Sequence, residues 1–137
     1  MKLEPNHLAP YLSYALQIKV ENGIDNGIFE LQPVMLTIQD HEGVNKFDKW
    51  FVQYESKPLL RPLSDLTKEI EHNGEKFKPI NRIPLPKSRP TYLQDLLRLG
   101  EGEKDFRTFE YQTIELLFEW HFDVFGLIPK GLAIKKD

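Results

Sequence analysis

Leu16–Glu21 reads LQIKVE, and the fold turns on these six residues. Leu16, Ile18 and Val20 alternate with Gln17, Lys19 and Glu21, the period of a strand with one face on a core and the other in water. Asn22-Gly23 and Asn26-Gly27 follow, both turn dipeptides because Asn and Gly tolerate positive φ. A second strand is expected from Ile28, interrupted at Pro33, with Val34, Leu36 and Ile38 resuming the alternation. Asp40–Lys46, DHEGVNK, reads as a loop. Lys49–Glu55 reads as a third strand with Trp50, Val52 and Tyr54 on one face. An antiparallel meander joins the three naturally.

Downstream the pattern changes. Ser64 can cap a short helix through Glu71, with Leu63, Leu66 and Ile70 on one side and Asn73-Gly74 as its stop. Lys76–Pro90 carries four prolines, five basic residues and no acid, and is expected to be extended and exposed. Thr91 caps a further helix, Gln94 completes a capping box, and Gly100 ends it. A last helix is expected from about Thr108 to Phe125 with Gly126 as its stop, followed by a short strand at Leu132–Lys135. Strands first and helices later give an α+β fold. Its antiparallel sheet has three to four strands, the N-terminal meander plus the C-terminal strand. Two or three helices pack against it, the longest about 108–125. The 137 residues fit a single domain with a Pro-rich basic segment at 76–90.

Composition narrows the function classes. Nine Phe, five Tyr and two Trp can supply much of a small core. A net charge of −3 argues against a general nucleic-acid coat protein. With no cysteine there is no disulfide framework, thiol nucleophile or cysteine metal site, and a reducing cytosol is the simplest home. The N-terminal MKLEPNHLAPYL carries charge and two prolines before any apolar run, unlike a signal peptide, and no apolar run approaches the roughly 20 residues of a membrane span.

Leu116–Leu127, LLFEWHFDVFGL, sets His121 between Glu119 and Asp123. On a helical wheel the cluster dissolves. Gln112, Glu115, Glu119 and Asp123 form one stripe, while His121 falls within the apolar arc, because residues two apart share no helix face. His121 is then expected to be a buried, neutral, hydrogen-bonded core histidine. Glu69 and His72 have Glu-x-x-His spacing, but one such motif is too little for a dinuclear metal site. Asp40, His41 and Glu42 read as a hydrated turn. HExxH, Walker, GxGxxG and GxSxG motifs are all absent. No catalytic residue, metal or cofactor is expected. Lys76, Lys78, Arg82, Lys87 and Arg89 could contact phosphates, although aromatic interleaving is poor. Glu101–Asp123 carries seven acids against Lys104 and Arg107. The basic arm is expected to lie over this acidic region in cis or to be solvated. The sharper alternative makes the five basic residues, or the stripe of Glu115, Glu119 and Asp123, partner-docking surfaces.

Three blocks carry a resemblance: KPLLRPLSDLTKEIEHNGEKFKPI at Lys57–Ile80, LAPYLSYALQI at Leu8–Ile18, and LLFEWHFDVFGLIPKGLAI at Leu116–Ile134. They resemble a set of small uncharacterised proteins encoded by phages and prophages of Bacteroidetes hosts. Those proteins favour Pro and Gly where this chain has Ser13 and Ala15. The resemblance implies no activity, cofactor or catalytic residue. It does imply a phage accessory protein in the cytoplasm of a bacterial host. Such a protein is expected to be a non-enzymatic binding module that inhibits or modulates a host protein or protein–nucleic acid complex, such as a defence nuclease. The alternatives are a small metal- or histidine-dependent enzyme and a nucleic-acid binder acting through residues 76–90.

Overall fold

The computed structural model describes residues 2–20, 27–84, 91–99, 101 and 106–136. The chain opens with a helical turn, α1 (Pro5–Leu8), running into a 3-10 turn at Ala9–Tyr14. It then enters β1 (Gln17–Val20) with the expected alternation, Ile18 and Val20 buried and Gln17 and Lys19 exposed. β2 (Gly27–Glu30) pairs antiparallel with β1, Ile18 opposite Phe29. Asn22-Gly23 and Asn26 lie outside the described residues.

The rest of the expected meander is corrected. β2 does not resume after Pro33. That proline opens a 3-10 turn, Pro33–Leu36, because its fixed φ and missing N–H suit a first turn better than a ladder. Met35 is its buried residue, while Val34 and Ile38 are exposed. Most of the expected strand Lys49–Glu55 is helical as well, up to Gln53. Asn45 accepts from the Asp48 N–H at 3.0 Å and caps α2 (Lys46–Asp48), which continues into a π turn at Lys49–Gln53. Phe47 and Phe51, four residues apart, bury their rings 4.9 Å from each other. Trp50 and Tyr54 meet edge to face at 5.5 Å with the same spacing. These aromatics satisfy period 2 and period 3.6 alike, and the capped nucleus selects the helix.

The third strand lies further on, at β3 (Lys57–Leu60), between β1 and the C-terminal strand. The expected helix from Ser64 is a 3-10 turn, Leu63–Thr67, followed by a hairpin of β4 (Ile70–His72) and β5 (Glu75–Phe77). Asn73 and Gly74 both have positive φ, 52° and 80°, and form its two-residue turn instead of stopping a helix. A 3-10 turn, Pro79–Arg82, replaces part of the expected extended segment. Residues 85–90 lie outside the described ones.

α3 (Tyr92–Leu99) starts where Thr91 placed it and packs on the Leu63–Thr67 turn. α4 (Tyr111–Glu119) packs on the Ala9–Tyr14 turn. It stops six residues short of the expected Phe125. Finally β6 (Ile134–Lys135) pairs with β3, Leu59 opposite Ile134, but in parallel. The main sheet is therefore mixed, in the order β2-β1-β3-β6, and helices pack against it in the expected α+β manner. Among the described residues no helix is long and apolar enough to cross a membrane.

Candidate functional site

The early end of α4 creates the site. The His121 N–H donates to the Phe118 carbonyl (3.0 Å) and the Phe122 N–H to the Leu117 carbonyl (2.9 Å), the paired closure that ends a helix through one left-handed residue. That residue is His121, at φ 63°. Glycine is the usual occupant, and a residue with a Cβ costs about 1 kcal/mol there. Beyond it the chain turns alongside the end of β3. The Arg61 N–H donates to the His121 carbonyl (2.7 Å), and the Asp123 N–H donates to the Arg61 carbonyl (2.8 Å).

The His121 ring is buried, as the wheel implied, but on a loop instead of a helix face. Its Nε2–H donates to the Tyr14 carbonyl at 2.6 Å, and its Nδ1 accepts from Lys136 Nζ at 3.1 Å. That arrangement requires a neutral imidazole. Burial is the main cause that lowers its pKa to about 4. Lys136, His72 and Arg61 push the same way, and the bond to Tyr14 opposes. His72 arrives on the β4–β5 hairpin, its ring centroid 4.8 Å from that of His121 and nearly perpendicular to it. Burial first, then Arg61 and Lys136, lower its pKa to about 4, against a bond to the Glu119 backbone.

Arg61 and Lys136 complete the cluster. Arg61 is buried at the end of β3, donating from Nη1 to the Trp120 carbonyl (2.9 Å) and from Nη2 to the Glu71 carbonyl (2.6 Å). It thereby ties the end of α4 to the hairpin without a carboxylate in contact. Lys136 follows β6, half-buried. Burial, then Arg61, brings its pKa down to about 8. Arg61, His72, His121 and Lys136 line one pocket of about 300 Å³, with Gln17 and Asn73 also on its wall. Glu30 and Glu71 line it too, yet neither is among the charges acting on the four basic groups. The acid acting on Arg61 is Asp65, at a distance. Among the described residues no carboxylate forms an ion pair with Arg61 or Lys136. Three of the four non-glycine residues with positive φ in the described chain, Ala15, Asn73 and His121, line this same pocket. Each of the three closes an element: Ala15 the Ala9–Tyr14 turn, Asn73 the β4–β5 hairpin and His121 the end of α4.

The surfaces expected from sequence fare unevenly. Lys76 and Lys78 are exposed, and Lys76 pairs across the hairpin with Glu71 at the pocket border. Arg82 is engaged locally by the Glu75 carboxylate and stacks 4.0 Å over the Phe77 ring, so its acid partner lies within the hairpin and not in the 101–123 region. Lys87 and Arg89 fall outside the described residues. Glu115 and Glu119 are exposed on α4, and Tyr14 donates to Glu115 at 3.3 Å in a separate groove of about 420 Å³ beside Phe106, Tyr111 and Phe118.

Asp123 is corrected. It is buried and off the helix, accepting from the Leu127 and Ile128 N–H groups at 2.7 and 2.9 Å, so it holds the loop instead of meeting a partner. Burial raises its pKa despite those bonds. Glu69 and His72 do not share a helix face, since His72 is on a strand. Asp40 accepts from the Glu42 and Val44 N–H groups, both at 2.9 Å, which makes the loop at His41 a turn. Among the described residues no three His, Asp or Glu side chains gather as a metal site.

Sequence reasoning missed Arg61 and Lys136. Arg61 had left one signal: a lone charge inside the apolar run KPLLRPL. No family model, curated protein or solved structure matches the chain.

Proposed function

We propose that the protein is a non-enzymatic binding module that seats an anionic group of its partner in the Arg61–Lys136 pocket. One observation carries this reading: two cations, one buried and one half-buried, share a concave pocket without a contacting carboxylate. Desolvated charge is costly unless paired, and an incoming anion is the partner that offsets that cost. The resemblance of the three blocks to phage-encoded proteins supports a phage accessory role in the cytoplasm of a bacterial host. The partner would then be a host protein or protein–nucleic acid complex, a defence nuclease among the candidates.

The test is capture from a nuclease-treated host lysate by tagged wild-type protein, by Lys136→Glu, and by a Glu115→Lys/Glu119→Lys double variant. One dominant species should bind the wild type and the double variant, be lost with Lys136→Glu, and be released by free citrate. Retention by Lys136→Glu together with loss in the double variant would place the docking surface on α4 and refute the pocket reading.

The His72–His121 ring contact favours a second reading, a general acid–base pair acting on a bound ester. Its weakness is that both ring nitrogens of His121 are already engaged. Ester turnover that disappears in His72→Gln would establish it.

A further inference from the structure

We infer that the outer edge of β2 pairs with the same edge of a second copy of this chain, antiparallel about a two-fold axis at Phe29. The inference does not rest on the pocket reading. β2 lies at the end of the main sheet, with β1 beside it. In an antiparallel ladder only alternate residue pairs exchange hydrogen bonds. The Leu31 N–H donates to the Leu16 carbonyl at 2.7 Å, so Leu16–Leu31 is a bonded pair, and by the β1–β2 register so is Ile18–Phe29. The other side of β1 agrees, because Pro58 of β3, with no N–H to give, lies opposite Ile18. Ile28 and Glu30 therefore aim their backbone N–H and C=O groups away from β1. Among the described residues neither meets a backbone partner on that side.

This edge is complementary to itself. A two-fold axis at Phe29 sets Ile28 opposite Glu30 of the second copy, and Glu30 opposite its Ile28, one doubly bonded pair on each side of the axis. The two Phe29 residues meet at the non-bonded site between them, where side chains lie closest. Phe29 is half-buried on the Ile18 face and meets half-buried Trp50 edge to face at 6.1 Å, so the core is open along this edge. Charge on the other face is what favours a second copy as the added strand. Lys19 and Lys57 lie directly across from each other there, a like-charge pair that costs stability. Ile28, 57% exposed, is next to Lys19 in the same row across the sheet. The two-fold axis continues that row with Glu30 of the second copy, and the long Lys and Glu side chains reach each other over Ile28. Symmetry repeats the attraction in the other half.

The sequence has no cysteine, so introduced thiols report on this edge alone. The experiment oxidises full-length Ile28→Cys, full-length Glu30→Cys and their equimolar mixture. Sedimentation equilibrium follows the wild type, Lys19→Glu and the charge-swapped Lys19→Glu/Glu30→Lys, with circular dichroism to show that each is folded. The mixture should form a disulfide-linked dimer and the two single variants far less, because only positions 28 and 30 face each other within disulfide reach. The wild type should dimerise in the micromolar range, as a small interface allows. Lys19→Glu should weaken the dimer by about tenfold or more, and the charge swap should restore it. A wild type that stays monomeric up to about 1 mM overturns the inference. A dimer whose single cysteine variants cross-link as readily as the mixture overturns it too, since the copies then meet in another register or on another face. Should Lys19→Glu fail to fold, the cross-linking result decides alone.

Discussion

Thr113 shows how one residue can be mismatched to its place. It sits on the first turn of α4, fully buried, and its Oγ1 has no hydrogen-bond partner. A desolvated hydroxyl left unpaired costs about 1–3 kcal/mol. Thr113→Val keeps the branched shape and removes the hydroxyl. It should raise stability by about 1 kcal/mol, seen as a higher midpoint in urea at unchanged slope. A lower midpoint would show that the hydroxyl does make a bond. Asp123 is the opposite case. A buried carboxylate would be a liability, but two backbone donors hold it and it orders the loop from Leu127 onward. Sequence could not separate these two residues, because burial and partners arise from chain segments far apart.

At the scale of the element, the β4–β5 hairpin matters most, since it carries His72 and Asn73 into the pocket. Its turn depends on positive φ at two successive positions. A Cβ at Gly74 would meet nothing within 4 Å, so Gly74→Ala isolates the backbone effect. It should cost about 1 kcal/mol by chemical denaturation, with no change in the core. A loss of several kcal/mol would mean that the hairpin contributes more than its turn. Asn-Gly was visible in the sequence, but the Ser64 cap with Leu63, Leu66 and Ile70 on one side made it read as a helix stop. The hairpin prevailed because Ile70 and Phe77 pair across it and both bury. β3 was invisible for another reason. Pro58, Leu59 and Leu60 are all buried, so no alternation appears, and prolines at 58 and 62 discourage a strand reading.

For the whole molecule the basic pocket dictates the response to pH. His72 and His121 both titrate near pH 4 when folded, against an ordinary 6.5. The unfolded chain therefore binds protons first as pH falls. Their contribution is complete above about pH 6.5 and is lost as pH drops toward 4. For His121 alone the loss approaches about 3 kcal/mol. Lys136 acts with the same sign in a higher window, adding stability as pH rises from about 8 toward its ordinary 10.5. Asp123, with a raised pKa, partly opposes the histidines at the acid end. Thermal melts in acetate and other phosphate-free buffers should show a midpoint falling steadily from pH 7 to 4. A flat profile would contradict the buried, neutral histidine pair.

Local signals alone determined several features of this protein. The LQIKVE alternation produced β1, the Thr91 cap placed α3, and the order of strands and helices indicated α+β. Each depends on neighbours within a turn or two, where propensity and periodicity act directly. The parallel pairing of β6 with β3, the early end of α4 and the pocket itself were decided only by tertiary structure. Arg61, His72, His121 and Lys136 come from four separate segments, and their shared charge has meaning only once the sheet, the hairpin and the end of α4 bring them together. Coulombic and desolvation energies depend on distance and burial in space, which spacing along the chain does not encode.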